Sequence, residues 1–376
     1  VSIIIPLYAL DLKFSPFQIG LLISAPGIMQ ILLRLFGGVI SDRYGERRVL
    51  WFSFGIMCAG LSIFMVSGSF MYLFMGQLVM GSSRALYWTP SQAYASRISA
   101  RKVQNILGRL SSFVSAGQVL GLFFAGIFIY TFGYKITFLI CILLSTICLL
   151  LSLAMPELKN NEASNKNFKD ILVSLPAMFK KPILYFAGIL AFVAALQHSL
   201  LTSFYPVYFR EAGHSETMVG LFTAIRAIGS IIIGIIFAVV LSKLGQKRMF
   251  SWGVGGTGLL IFSTPFLTST WSLILLMLVI GLTTGSAYIQ HQVIASEHSS
   301  SEERGTFLSA AGLFWSLGIL VIPVLFGALA NFFGLTHTFV ALGSILIVTS
   351  LLCHIFLKSF VAFQKNYKYN NFFEEK

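Results

Sequence analysis

Negative charge is scarce in this chain, with only 13 aspartates and glutamates among 376 residues. Every one of them, from Asp11 and Asp42 to Glu374 and Glu375, falls in a loop, a tail or a helix end, so no pair of acids sits inside an apolar segment. Also missing are a His-Glu-x-x-His zinc motif, a Ser/His/Asp set and a Gly-x-x-x-x-Gly-Lys-Ser/Thr phosphate loop. The chain is therefore not expected to be an enzyme, and ATP is not expected to drive it directly. Cysteine is equally sparse. Cys58, Cys141, Cys148 and Cys353 lie in apolar stretches without metal-ligand spacing, which makes them packing residues and implies no metal or other cofactor.

What fills the chain instead is hydrocarbon. Hydrophobic residues make up 56% and charged residues 10%, and the mean hydropathy is +0.84. That composition belongs to an integral membrane protein. Apolar stretches long enough for a helix to cross about 30 Å of bilayer recur along the length. They lie at about 16–41, 49–68, 70–95, 104–129, 135–154, 182–205, 217–241, 250–267, 271–295, 306–330 and 336–357. The short alternating segments of a membrane β-barrel are absent, so the fold class is all-α.

The net charge of +13 is placed as a membrane protein places it. Lys13, Lys135 and Arg210 lie in loops of one side, Arg34, Arg84 and Arg226 lie inside helices, and the other basic residues lie on the opposite side. By the positive-inside rule that side is cytoplasmic, and both termini are expected there. Attraction to anionic lipid accounts for the basic excess, so the bilayer is the expected partner and nucleic acid is not.

Landmarks repeat at a shift of 200 residues: Pro6/Pro206, Tyr8/Tyr208, Ser15/Ser215, Gly20/Gly220, Gly45/Gly245, Arg48/Arg248, Gly81/Gly281 and Gln92/Gln292. At 201 the match continues with Gly117/Gly318, Gly126/Gly327 and Phe132-Gly133/Phe333-Gly334. A constant offset along most of a very apolar chain predicts two structurally equivalent halves. The shift lays 182–205 onto a segment beginning before Val1, so residues 1–10 are expected to be the end of a first helix that is truncated here, the intact protein having twelve. The domains follow: a six-helix bundle at 1–155, a polar cytoplasmic linker at 156–181, a second six-helix bundle at 182–357 and a cytoplasmic tail at 358–376.

One segment is more specific. Gly38-Val-Ile-Ser-Asp42-Arg43-Tyr-Gly45-Glu-Arg47-Arg48 closes the second span. Its glycines allow close helix approach and a left-handed turn, and its arginines suit an anionic interface. Asp42 beside a helix C-terminus opposes the helix dipole and needs another partner. The pattern Gly-x-x-x-Asp-Arg-x-Gly-x-Arg-Arg, with the duplicated halves and the central linker, resembles the major facilitator superfamily (MFS). The resemblance implies that Asp42 latches the halves near Arg304-Gly305-Thr306, with Arg97 or Arg101 completing the cluster. In the second copy Ser242 replaces Asp42. Two positions depart from common antiporter patterns: Gln77 stands four residues before Gly81, and Leu122 follows Gly121.

The resemblance further implies a secondary active transporter in the cell membrane working by alternating access, with spans 1, 4, 7 and 10 around a central cavity. Arginine within the bilayer costs about 2.5–3.5 kcal/mol and is normally matched by a cavity or a partner. With no intramembrane acid visible, an anionic ligand is the simplest partner. Arg84 and Arg226 are therefore expected to bind an anionic or amphipathic small organic solute, with Tyr87, Trp88, Tyr288 and Gln197 around it. His198 and His291 are candidates for proton coupling. Arg34, one turn before Gly38, joins Asp42, Arg43, Gly45, Arg47 and Arg48 as a gating group. A proton-coupled multidrug exporter of the same fold is the alternative, and a monomer is expected.

Overall fold

The computed structural model describes residues 2–66, 68–98, 103–157, 179, 182–297 and 304–374. Every regular element among them is helical, as a chain surrounded by lipid requires when each backbone group must be bonded internally. In the first half α1 is Ile4–Asp11, α2 Pro16–Tyr44, α3 Glu46–Val66, α4 Phe70–Ile98 and α5 Val103–Ala154. In the second, α6 is Pro182–Glu211, α7 Glu216–Ser251, α8 Thr257–Ser263, α9 Thr270–Glu297 and α10 Arg304–Glu374.

Seven of the described stretches are long and apolar enough to cross a membrane. Two of them, Ser112–Ala154 with 43 residues and Gly312–Leu352 with 41, are about twice the length one crossing needs. Each breaks at a glycine with left-handed φ, +73° at Gly133 and +80° at Gly334, and so divides into two arms. α10 stays helical to Glu374, beyond the position expected for the last span. Two expected spans look different in the structure. α4 is a single long helix but not among the seven apolar stretches, because Gln77, Ser82, Ser83 and Arg84 interrupt it. The span expected at 250–267 is split into the end of α7, a π-helical turn at Trp252–Gly256, α8 and a 3-10 turn at Thr264–Phe266. Glycines at 253, 255, 256 and 258 and Pro265 weaken the regular α-helix there.

The repeat survives in three dimensions at the level of single hydrogen bonds. Leu12 N–H donates to the Tyr8 carbonyl at 3.0 Å and Ala212 N–H to Tyr208 at 2.9 Å; Phe14 donates to Ala9, and His214 to Phe209, both at 3.0 Å. Ser15 Oγ caps α2 by accepting from Gln18 N–H at 3.3 Å, and Ser215 Oγ caps α7 by accepting from Met218 N–H at 3.4 Å. Even the turn conformation is copied, with φ +60° at Lys13 and +89° at Gly213. At the 201 offset, the Thr137 and Thr338 hydroxyls donate to the Gly133 and Gly334 carbonyls, both at 2.8 Å.

The two halves meet through paired close approaches. A Cβ on Gly20 of α2 would strike the Pro323 carbonyl of α10, and one on Gly220 of α7 would lie 3.0 Å from the Leu122 carbonyl of α5. Likewise Gly327 faces the Pro16 carbonyl and Gly126 faces the Glu216 carbonyl. Under the repeat, 20 corresponds to 220, 122 to 323, 16 to 216 and 126 to 327. The two seams, α2 against α10 and α5 against α7, are thus copies of one contact. Both lie toward the end carrying the Lys13 and Gly213 turns. Toward the other end of α5, a Cβ on Gly117 or Gly121 meets nothing within 4 Å, Phe113 is 75% exposed, and Ile235 of α7 is 78% exposed. Among the described residues, α5 and α7 are joined at one end and apart at the other.

Candidate functional site

A cavity of about 70 Å3 lies between the halves, enough for several water molecules. Ser2 before α1 and Pro6 of α1 line it, α2 contributes Pro26 and Gln30, α4 contributes Gln77 and Arg84, α6 contributes His198, Ser199 and Thr202, and α10 contributes Ile319. Ser2 and Thr202 are repeat counterparts, which places the cavity on the relation between the halves. Its polar lining explains why α4 falls short of a purely apolar span.

Small residues hold the arginines in position. Gly81 of α4 approaches Pro26 of α2 so closely that a Cβ would lie 2.6 Å from the Pro26 Cα. Arg84, three residues along, then reaches the cavity. The counterpart contact sets Gly281 of α9 against the backbone of Arg226 in α7. Arg226 therefore occupies the place that Pro26 has in the first half. Its side chain is nearly covered, at 5% exposure, and its Nε is enclosed without a hydrogen-bond partner among the described residues. Arg84 is open toward the cavity. Arg84 and His198 line the cavity together, whereas Arg226 is buried and is not among its lining residues. No carboxylate lines the cavity among the described residues.

The acids that are described lie elsewhere. Arg210 and Glu216 pair at 2.8 Å near the closed end, with Glu216 in the first turn of α7, where the helix dipole favours negative charge.

An aromatic cluster adjoins the cavity. The Tyr288 ring lies 5.3 Å from His291 and 5.2 Å from Trp315, His291 stacks on Trp315 at 5.9 Å and 15°, and His198 lies 5.5 Å from Trp315. Both expected histidines and Tyr288 thus come together around Trp315, a residue the repeat gave no reason to select because its counterpart is Val114. Trp88, one turn beyond Arg84, is 45% exposed. Tyr87 instead packs edge-on against Phe54 of α3 at 5.7 Å.

Gln197 is fully buried and does not line the cavity. Its Nε2 donates to the Gly253 carbonyl of the π-helical turn at 3.2 Å, where the Thr257 hydroxyl also donates at 2.6 Å. Its contact is therefore within the second half. A Gln197→Ala protein is expected to lose about 1 kcal/mol of stability with unchanged ligand affinity. A thermal melt with and without ligand checks both.

The basic motif is tied down within the first half. Arg47 donates to the Leu153 carbonyl, Arg48 pairs with Glu157 at 3.4 Å, and the Tyr94 hydroxyl donates to the Pro156 carbonyl at 2.9 Å. Two cations thus sit at the C-terminal end of α5, where the helix dipole favours them. The Arg48 pair is largely exposed, so it adds little by itself. Gly45 turns the chain with φ +85°. At Gly38, Arg34, Asp42, Arg43, Arg97 and Arg304 only the backbone is described, and Arg101 lies outside the described residues.

Two bundles of membrane-length helices enclosing a polar cavity form the architecture of a solute carrier. The profile of the Major Facilitator Superfamily matches residues 1–208 and again 187–365, and the chain belongs to that family. It is 24% identical over 369 residues to the cis,cis-muconate transport protein of Acinetobacter baylyi, covering 93% of this chain and 87% of that one. To the quinolone resistance protein NorA of Staphylococcus aureus it is 21% identical, covering 87% of this chain and 84% of the relative. Among solved structures, the nucleoside transporter NupG superposes with a TM-score of 0.79 at 15% identity, covering 94% of this chain and 93% of that one. Family and fold together make the protein an integral membrane transporter.

Proposed function

We propose that this transporter is a secondary active carrier of small organic anions, working by alternating access between two bundles of a twelve-helix arrangement. The observation that carries the reading is Arg226, a buried cation whose Nε has no partner among the described residues, together with Arg84 of the other half, which lines the cavity beside His198. A cation is held in a low-dielectric interior at a cost of a few kcal/mol. A ligand carboxylate offsets that cost with charge-assisted, bidentate hydrogen bonds. Each half supplies one guanidinium, Arg84 from the cavity lining and Arg226 from a buried position outside it, and an anion that engaged both would join the halves. Tyr288 and Trp88 border the site, and His198 and His291 are the groups through which a proton would be coupled. The muconate transport protein among the relatives fits an acidic substrate.

In this arrangement the basic end is cytoplasmic, both termini lie there, and the protein resides in the cell membrane. The described state is then closed outside at the two glycine seams and open inside along α5 and α7. Asp42, Arg43 and Arg34 belong to the inner gate, with Arg47 and Arg48 holding the end of α5.

Proton-driven export of lipophilic cations is the second reading, favoured by the likeness to NorA. It requires a membrane-embedded acid to answer the cation. A binding screen of anionic, zwitterionic and cationic compounds on the purified protein separates the two, because a ligand raises the melting temperature only if it binds the folded state. Stabilisation by cations alone would refute the anion reading.

A further inference from the structure

Trp315 is the hub of the aromatic cluster, within 5.2–5.9 Å of Tyr288, His198 and His291 and so in contact with α6 and α9 from its place on α10. Ile319, one helical turn farther along α10, lines the cavity, and so does His198. Residues four apart share a helix face, so the indole lies on the cavity side of α10. A cluster serving only as core would be closed on all sides. This one is not, because Tyr288 keeps 40% of its surface exposed. The cluster thus presents aromatic surface that meets, through His198, the cavity lined by Arg84 and by no described acid.

We infer that Trp315 is a specificity-determining residue and that the carrier prefers acids with a planar aromatic or conjugated body over saturated acids of the same size. The inference rests on the anion reading above and narrows it. The arginines hold the carboxylate while the Trp315 and Tyr288 rings pack against the planar body, edge-on or offset. Such packing adds to simple area burial by an amount equivalent to about three- to tenfold in affinity. A saturated ring has no quadrupole to match, so it gains only the burial.

The test is equilibrium binding of benzoate, cyclohexanecarboxylate and benzamide to the purified full chain, as the wild type and as Trp315→Phe and Trp315→Leu. Benzoate is expected to bind the wild type about three- to tenfold more tightly than cyclohexanecarboxylate. Trp315→Phe should keep the preference and show that the position tolerates substitution, while Trp315→Leu should bring the ratio to about one. A wild type that binds both acids equally, a preference that survives in Trp315→Leu, or no binding of benzoate would each overturn the inference. Benzamide binding as tightly as benzoate would instead defeat the anion reading, and the two failures are thereby distinguishable.

Discussion

An Arg226→Gln protein reconstituted into liposomes will take up no measurable anionic substrate, yet without ligand it will melt at a temperature no lower than the wild type. The two results have one cause. Glutamine is polar and carries no charge, so it relieves the burial of a cation while removing the partner proposed for a ligand carboxylate. Hydrogen bonds to charged groups contribute about 1.5–3 kcal/mol, a loss of roughly ten- to 150-fold in affinity for one such contact. The loss is larger where the same group also assembles the bridged state. Arg226→Lys keeps the charge but loses the planar fork, and should recover only part of the uptake. A purely structural arginine would behave differently: the glutamine protein would melt several degrees lower and still respond to ligand. Undiminished uptake would remove Arg226 from the binding site altogether.

Gly126→Leu will stop transport without unfolding the protein. A Cβ at Gly126 already meets the Glu216 carbonyl and lies 2.9 Å from the Gly220 Cα, so an isobutyl group holds α5 and α7 apart and the seam cannot close. The contact joins the halves and belongs to neither core, so each bundle should keep its own packing. Uptake should fall to a few per cent of wild type or less, while a single cysteine introduced at Ser199, in a background without native cysteines, becomes reactive to a membrane-impermeant thiol reagent added outside. Gly327→Leu, at the repeat counterpart, should do the same. Gly117→Leu on the same helix has open space around it and serves as the control with normal transport. Full activity in Gly126→Leu would mean that the seam does not need to close.

The sequence could reveal these features only where spacing alone fixes them. The offset between Gly20 and Gly220 and between Gly126 and Gly327 marks positions that must stay small, and the structure finds all four at the seams. Arg84 and Arg226 stood out because a charge in an apolar span needs a reason. The rotational phase of each helix was harder to read. In lipid both the outward and the core-facing sides are apolar, so hydropathy does not say which face points inward. Gln197 and His198 are adjacent, yet one is buried against the turn at Gly253 while the other lines the cavity. Tyr87 and Trp88 divide in the same way. Trp315 stayed hidden because comparison of the halves selects what they share, and substrate choice depends on where they differ. The partners of Arg47 and Arg48 were illegible for another reason: a carbonyl at a helix end carries no side-chain signature.

The matched seams constrain the motion itself. Because one contact is used twice, with the donor and acceptor helices exchanged, any rotation that parts α2 from α10 about the line relating the halves parts α5 from α7 by the same amount. A door built on these seams therefore has no hinge side: both of its edges must release in one event, and an obstruction placed at either edge is felt equally at the other.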